Sequence, residues 1–211
     1  MIKYTRLTLL LLLLLAACES KDHPAKNLVD VSKVNSHLIL DIHYATDNNF
    51  LGEAVYPAPR CFVVKAMAGK LDSIQKELES AGYGLKIFDG YRPYSVTKKM
   101  WEILPDERYV ANPVKGSRHN RGAAVDLTLV DSLGNELTMP TKFDDFSEKA
   151  GHDYQDLPQR VKTNRAMLRN IMEKYGFTAY QNEWWHYDLA DYQSYPILDV
   201  SFAEIDELAA R

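Results

Sequence analysis

The sequence predicts an α+β fold: a single domain in which a small antiparallel sheet is flanked by helices. Three observations carry that expectation. Two long segments place apolar residues at three- and four-residue steps and end at a glycine. Shorter segments between and after them alternate apolar with polar residues or are rich in aromatics. The 211 residues contain no internal repeat, no low-complexity tract and no second linker. With 13 Tyr, 7 Phe and 3 Trp, the chain has material for one sizeable core.

The first residues stand apart from that domain. Lys3 and Arg6 precede a leucine-dominated run from Leu7 to Ala17. The run is too short to span a bilayer, which takes ~20 apolar residues, but it suits the core of a secretory signal. It ends in Leu15-Ala16-Ala17-Cys18, which resembles the bacterial lipobox. Residues 1–17 are therefore expected to be a lipoprotein signal peptide, with Cys18 lipidated and holding the exported protein to a membrane, in the periplasm or at the cell surface. Residues 18–30, polar and charged around Pro24, are expected to tether that anchor to a domain spanning 31–211. Cleavage would remove Lys3 and Arg6 and move the formal charge from −4 to −6. Without a basic stripe, nucleic acid is not an expected partner. Only Cys18 and Cys61 are present, so no disulfide framework is expected.

The elements follow in order. Val64, Ala68, Leu71, Ile74, Leu78 and Ala81 mark an amphipathic helix stopped by Gly82. Gly84 to Phe88 reads as a strand leading into Asp89-Gly90-Tyr91-Arg92-Pro93. Ser95 is expected to cap a second helix running to about Leu104. From Gly122 to Val130, Val125, Leu127 and Leu129 fall on one side and Ala124, Asp126 and Thr128 on the other. That pattern predicts a half-buried strand with Asp126 on its less apolar face. Asp131-Ser132-Leu133-Gly134-Asn135 supplies turn chemistry. Asp156 and Pro158 open a third helix through Val161, Leu168, Ile171 and Tyr175, stopped at Gly176. Phe177 to Leu189 reads as strand, turn and strand.

Two clusters could do chemistry: Ser117-Arg118-His119-Asn120-Arg121-Gly122-Ala123-Ala124-Val125-Asp126, and Glu183-Trp184-Trp185-His186. Together they offer His119, Asp126 and His186, a ligand set of the kind catalytic zinc uses: three protein groups and one open position. His119 and Asp126 lie seven apart, so one regular strand could not point both the same way. Gly116 and Gly122 bracket the histidine and permit a loop that turns it toward Asp126. Simpler readings stand beside these: Asp126 paired with Arg121, Glu183 a surface carboxylate, Arg92 an ion pair with Asp89. His23, His37, His43 and His152 read as hydrogen-bonded or solvated, and Trp184 and Trp185 as wall and core.

The joint pattern is more specific. Ser-x-His-x-x-Gly-x-Ala-x-Asp from Ser117 to Asp126, followed by Glu-x-x-His at Glu183 and His186, resembles the zinc peptidases that process D-alanyl ends of peptidoglycan. Within them it is most similar to the D-alanyl-D-alanine dipeptidases of the VanX type. Asp41-Ile42-His43-Tyr44-Ala45-Thr46-Asp47-Asn48-Asn49-Phe50-Leu51-Gly52, Asp89 to Pro93, and Met139-Pro140-Thr141-Lys142-Phe143-Asp144-Asp145-Phe146 resemble further motifs of that family, in the same order. Two residues depart from it: Pro140 stands where the family usually has Gly, and His43 where Arg is more usual. The stretch from Arg92 to His119 is also short for the type. The resemblance implies a hedgehog/D,D-peptidase-like fold and one Zn2+ per chain on His119, Asp126 and His186. It implies Glu183 as general base and acid, and Arg92 as stabiliser of the developing oxyanion. A free dipeptide carries two opposite charges, each costly to bury alone. Asp144, with Tyr44 assisting, is the implied partner of its ammonium, and Ser117 a further hydrogen-bonding group.

The expected function is zinc-dependent hydrolysis of D-alanyl-D-alanine in cell-wall peptide turnover. Two alternatives stay open: a D,D-carboxypeptidase or endopeptidase acting on longer peptidoglycan stems, and a non-catalytic zinc-binding module like the hedgehog signalling domain. Glu-Trp-Trp-His favours the dipeptidase over the first, and the presence of both Glu183 and Arg92 favours an enzyme over the second.

Overall fold

The computed structural model describes residues 23–210; the signal-like run and Cys18 lie outside the described residues. In chain order the regular elements are β1 (Leu28–Asp30), α1 (Val31–Val34), β2 (Ile39–Leu40), β3 (Phe62–Val64), α2 (Lys65–Ser80), β4 (Tyr83–Asp89), α3 (Tyr94–Ile103), β5 (Ala124–Asp131), α4 (Gln159–Lys174), β6 (Phe177–Ala179), β7 (His186–Leu189) and α5 (Phe202–Ala209). Five strands form one sheet in the order β2-β4-β5-β7-β6, and β1 pairs with β3 in a separate antiparallel ribbon. The larger sheet is antiparallel except at one edge, where β2 runs parallel to β4. Helices α2 and α4 pack on the sheet side by side, tied by Lys174 to Glu77 at 2.6 Å and by Lys70 Nζ to the Tyr175 carbonyl at 2.7 Å. Among the described residues, no helix is long and apolar enough to cross a membrane.

The long helices and their glycine stops fall where the periodicity places them, with Gly82 and Gly176 both at φ +80. Four expectations change. Strand β5 is not half-buried: Ala124 through Val130 are all buried. Burial of every residue along that stretch means that both faces of the strand are covered, and the alternation in its sequence marks site against core rather than water against core. Ser95 does not cap α3. The helix starts at Tyr94, and Asp199 Oδ1 accepts from the Ser95 amide at 2.7 Å, so the C-terminal segment supplies the cap. The polar segment before residue 31 is folded from about Pro24: Ala25 and Leu28 are buried, and Leu28–Asp30 pairs with Phe62–Val64. A three-residue strand is too short to show a period. Finally, His152 is neither solvated nor fully hydrogen-bonded; it is buried, edge-on to Tyr187, with Nε2 unpartnered.

Arg60 ties the ribbon to the C-terminus, bonding Asp30 at 2.8 Å and Asp206 of α5 at 2.6 Å. Cys61, beside it, is a buried free thiol.

Candidate active site

The polypeptide between Ser117 and Gly122 is a tight 3-10 turn whose polar groups are fixed on all sides. Ser117 Oγ accepts from the His119 amide at 3.3 Å, and Asn120 Oδ1 accepts from the Ser117 amide at 2.7 Å. Asn120 Nδ2 also donates to the Arg92 carbonyl and to Thr97 Oγ1, both at 2.8 Å, which locks the turn to the arginine segment. Gly122 leaves the turn at φ +65, and a Cβ there would lie 2.4 Å from Leu28 Cδ2. The turn carries His119 over the end of β5, so the odd spacing to Asp126 imposes no conflict. Asp126 is the register partner of His186 on β7.

His119 Nε2 and His186 Nδ1 are 3.2 Å apart. Asp126 Oδ1 is 2.9 Å from His186 Nδ1, and its Oδ2 is 3.4 Å from His119 Nε2. All three residues are buried. The outer ring nitrogens are already placed against oxygens: His119 Nδ1 is 2.8 Å from the Gly90 carbonyl, and His186 Nε2 is 3.1 Å from Asp188 Oδ1. A neutral imidazole carries one N–H, so donation outward leaves two lone pairs and a carboxylate facing one another inside. Only a cation or added protons can satisfy such a set. Zinc with ligands at ~2.05 Å in a tetrahedron needs edges of about 3.3 Å. The observed separations of 2.9 to 3.4 Å bracket that value, and the donor set fits. Electrostatics agree. Burial disfavours an imidazolium at His186, but Asp126 and Asp188 outweigh it and push the group up to about 10. Burial would raise the Asp126 carboxyl, yet the two histidines hold it below the usual carboxylate range.

Around this cluster the other expected groups converge. Glu183 Oε2 lies 4.0 Å from His186 Nδ1, with about a fifth of its side chain exposed (22%). Burial and the Asp126 charge raise its carboxyl, against the pull of His186. Arg92 donates from Nη2 to Asp89 Oδ2 at 2.6 Å and lies 5.1 Å from the Tyr44 ring. The ion pair with Asp89 is therefore present, and Arg92 faces the cavity as well. Asp89 is fully buried, and it also accepts from Tyr56 at 2.6 Å and from the Gly90 amide at 2.8 Å. Asp126 does not pair with Arg121, whose Nη1 donates to the Tyr195 carbonyl instead. Tyr44 donates to Asp144, whose carboxyl is raised well above its ordinary value by burial and by the Asp126 charge. Ser117 accepts through Oγ and keeps its hydroxyl hydrogen to donate.

Tyr44, Arg92, Ser117, His119, Asp126, Asp144, Glu183 and His186 all line one cavity of about 930 Å³. Pro140 and His43 are not among its lining residues; His43 packs instead between Phe88 and Phe143. Trp185 forms wall, and Trp184 is core with its Nε1 donating to Thr141 at 3.0 Å. Sequence reasoning gave no role to Asp188, which meets His186, to Tyr56, which donates to Asp89, or to the cavity wall from Glu107 to Ala111. Asp188 had a readable signal, since a strand residue two beyond His186 shares its face.

The sequence profile of peptidase family M15, D-ala-D-ala dipeptidase, matches residues 24–206. A D-alanyl-D-alanine dipeptidase of Escherichia coli (strain K12) is 35% identical over 176 residues, covering 83% of this chain and 91% of the relative. One from Enterococcus faecalis (strain ATCC 700802 / V583) is 36% identical over 184 residues, covering 77% of this chain and 91% of its own. A third, from Streptomyces coelicolor, is 35% identical over 182 residues, with 76% and 90% covered.

Proposed function

The chain belongs to the D-ala-D-ala dipeptidase family, and from that premise we propose that it hydrolyses free D-alanyl-D-alanine with one zinc ion held by His119 Nε2, Asp126 and His186 Nδ1. The observation that carries the reading is the inward-facing donor set, two ring nitrogens 3.2 Å apart beside a buried carboxylate. Zinc, when bound, supplies Lewis acidity toward water and toward a carbonyl oxygen.

The remaining work belongs to the side chains. Glu183 takes the proton of the attacking water and returns it to the leaving amine, a service worth roughly 10²–10⁴ in rate. Its raised carboxyl suits a group that must both accept and give a proton. Arg92 stays charged, because the buried Asp89 carboxylate more than offsets the burial that disfavours its charge. It stabilises the oxygen that gains charge as the carbonyl becomes tetrahedral. Asp144, braced by Tyr44, receives the substrate ammonium, and Ser117 donates to the substrate. Closing both ends of the dipeptide around its charges selects a very short peptide.

A second reading draws support from the cavity, which continues past the charged cluster to Glu107, Tyr109 and Tyr154. A longer D,D-stem would have room there. Turnover of the free dipeptide against a pentapeptide stem separates the two: the dipeptidase reading expects strong preference for the dipeptide, and equal or better turnover of the stem would overturn it.

The chain is also read as an exported lipoprotein, on the strength of Leu15-Ala16-Ala17-Cys18 following the leucine run. Residues 1–17 are removed in that reading, Cys18 carries the lipid, and the catalytic domain sits outside the cytoplasmic membrane. Membrane fractionation checks it: Cys18→Ala should release the protein from the membrane, and an unchanged distribution would reject the anchor.

A further inference from the structure

His186 and Asp188 are two apart on β7 and so project to one face of the sheet, opposite Asp126 and Ala124 of β5. Asp188 is buried and uses both oxygens. Oδ1 is 3.1 Å from His186 Nε2, while Oδ2 takes the Nη1 of Arg118. The Arg118 guanidinium lies 4.7 Å from the Tyr180 ring and 5.2 Å from the Tyr192 ring, between two aromatic groups. Tyr180 in turn meets the His186 ring edge-on at 5.6 Å. Both Arg118 and Tyr180 line the cavity. A continuous chain of contacts thus runs from the cavity wall to a ligand ring.

We propose that Asp188 and Arg118 act as a positioning relay for His186: Asp188 holds the imidazole proton on Nε2, and Arg118, clamped by Tyr180 and Tyr192, holds Asp188. The inference rests on the zinc reading above. A free imidazole can carry its proton on either nitrogen, and only the Nε2–H form turns a lone pair toward His119 and Asp126. Were Asp188 present merely to balance a buried charge, Arg118 alone would satisfy it; its second oxygen is spent on the ligand ring. His119 is oriented differently, by the Gly90 carbonyl at 2.8 Å, which no side-chain substitution removes.

Zinc affinity, measured by competition with a chromophoric chelator, tests this without relying on activity. Asp188→Ala should weaken binding about 10–100-fold, the usual cost of losing a carboxylate behind a ligating histidine. Asp188→Asn, which keeps an oxygen for the Nε2–H, should recover part of that loss. Arg118→Ala should weaken binding less than Asp188→Ala, and the double variant should bind no more weakly than Asp188→Ala alone, because Arg118 acts through Asp188. The visible spectrum of the Co2+-substituted protein should shift in Asp188→Ala. Should Asp188→Ala not fold, Arg118→Ala and Asp188→Asn carry the same comparison. Folded Asp188 variants with wild-type affinity and spectrum would overturn the relay, as would losses that multiply in the double variant. A wild-type protein that binds no zinc would instead sink the functional reading on which the relay depends.

Discussion

The Tyr44 hydroxyl reaches across 100 residues of sequence to both carboxylate oxygens of Asp144, at 3.1 and 3.0 Å. Asp144 is held at φ 60, a left-handed backbone conformation that L residues seldom adopt. In the proposed function this pair, which lines the cavity, meets the ammonium of the dipeptide. Asp144→Asn should therefore raise KM for the dipeptide roughly 10-fold or more with a smaller change in kcat, and Tyr44→Phe should raise it by a lesser factor, near the worth of one hydrogen bond. Steady-state kinetics with free and N-acetylated dipeptide check this. The role for Asp144 fails if the variant still prefers the free amine as strongly as the native protein does.

Glu183→Gln should keep zinc and lose about 10²–10⁴ in kcat, since the amide can neither take nor return a proton. Metal analysis alongside turnover separates loss of the base from loss of the ion. A glutamine variant that is fully active would remove Glu183 from the mechanism.

Arg92 pairs with the buried Asp89 and is proposed to stabilise the oxyanion, two roles that substitution can split. Arg92→Ala should cost about 10²–10³ in kcat/KM. It should also destabilise the fold by about 3–5 kcal/mol, because Asp89 is left buried without its partner. Arg92→Lys restores the charge, so it should regain part of the stability and less of the rate. Urea unfolding and kinetics on the same samples test the split.

What the sequence made legible follows from how local each signal is. The long helices, their glycine stops and the Asp126 strand are written in periodicity, and the three residues proposed as ligands stand in short motifs. The edge strand Ile39–Leu40 and the ribbon of Leu28–Asp30 with Phe62–Val64 were not legible, because two- or three-residue strands form through tertiary pairing rather than pattern. Helix α5 does carry a local signal, the Ser201–Glu204 capping box. In the site, Asp188 was readable from strand alternation alone, whereas the partners Arg118, Tyr180 and Tyr192 come from separate segments that only the fold brings together.

His152 gives the protein a pH dependence of its own. Burial, with Arg169 and Arg165 nearby, lowers its imidazole from 6.5 to about 4. The unfolded chain takes up the proton near 6.5 and the folded protein does not, so the stability is present above that pH and is lost as pH falls toward 4. Allowing for solvent screening, the loss between pH 7 and pH 5 should be about 1 kcal/mol. His152→Phe should flatten that part of the curve. Urea midpoints of both proteins in excess zinc report the difference, and parallel pH profiles would contradict it.

The most direct test of the central claim is to strip the purified protein with a chelator and add zinc back while following D-alanine released from D-alanyl-D-alanine. The account predicts activity that vanishes on stripping, returns fully at one equivalent of zinc, and cannot be restored in His119→Ala or His186→Ala. A folded, metal-free protein that still cleaves the dipeptide, or one that binds no zinc between these three residues, would contradict it.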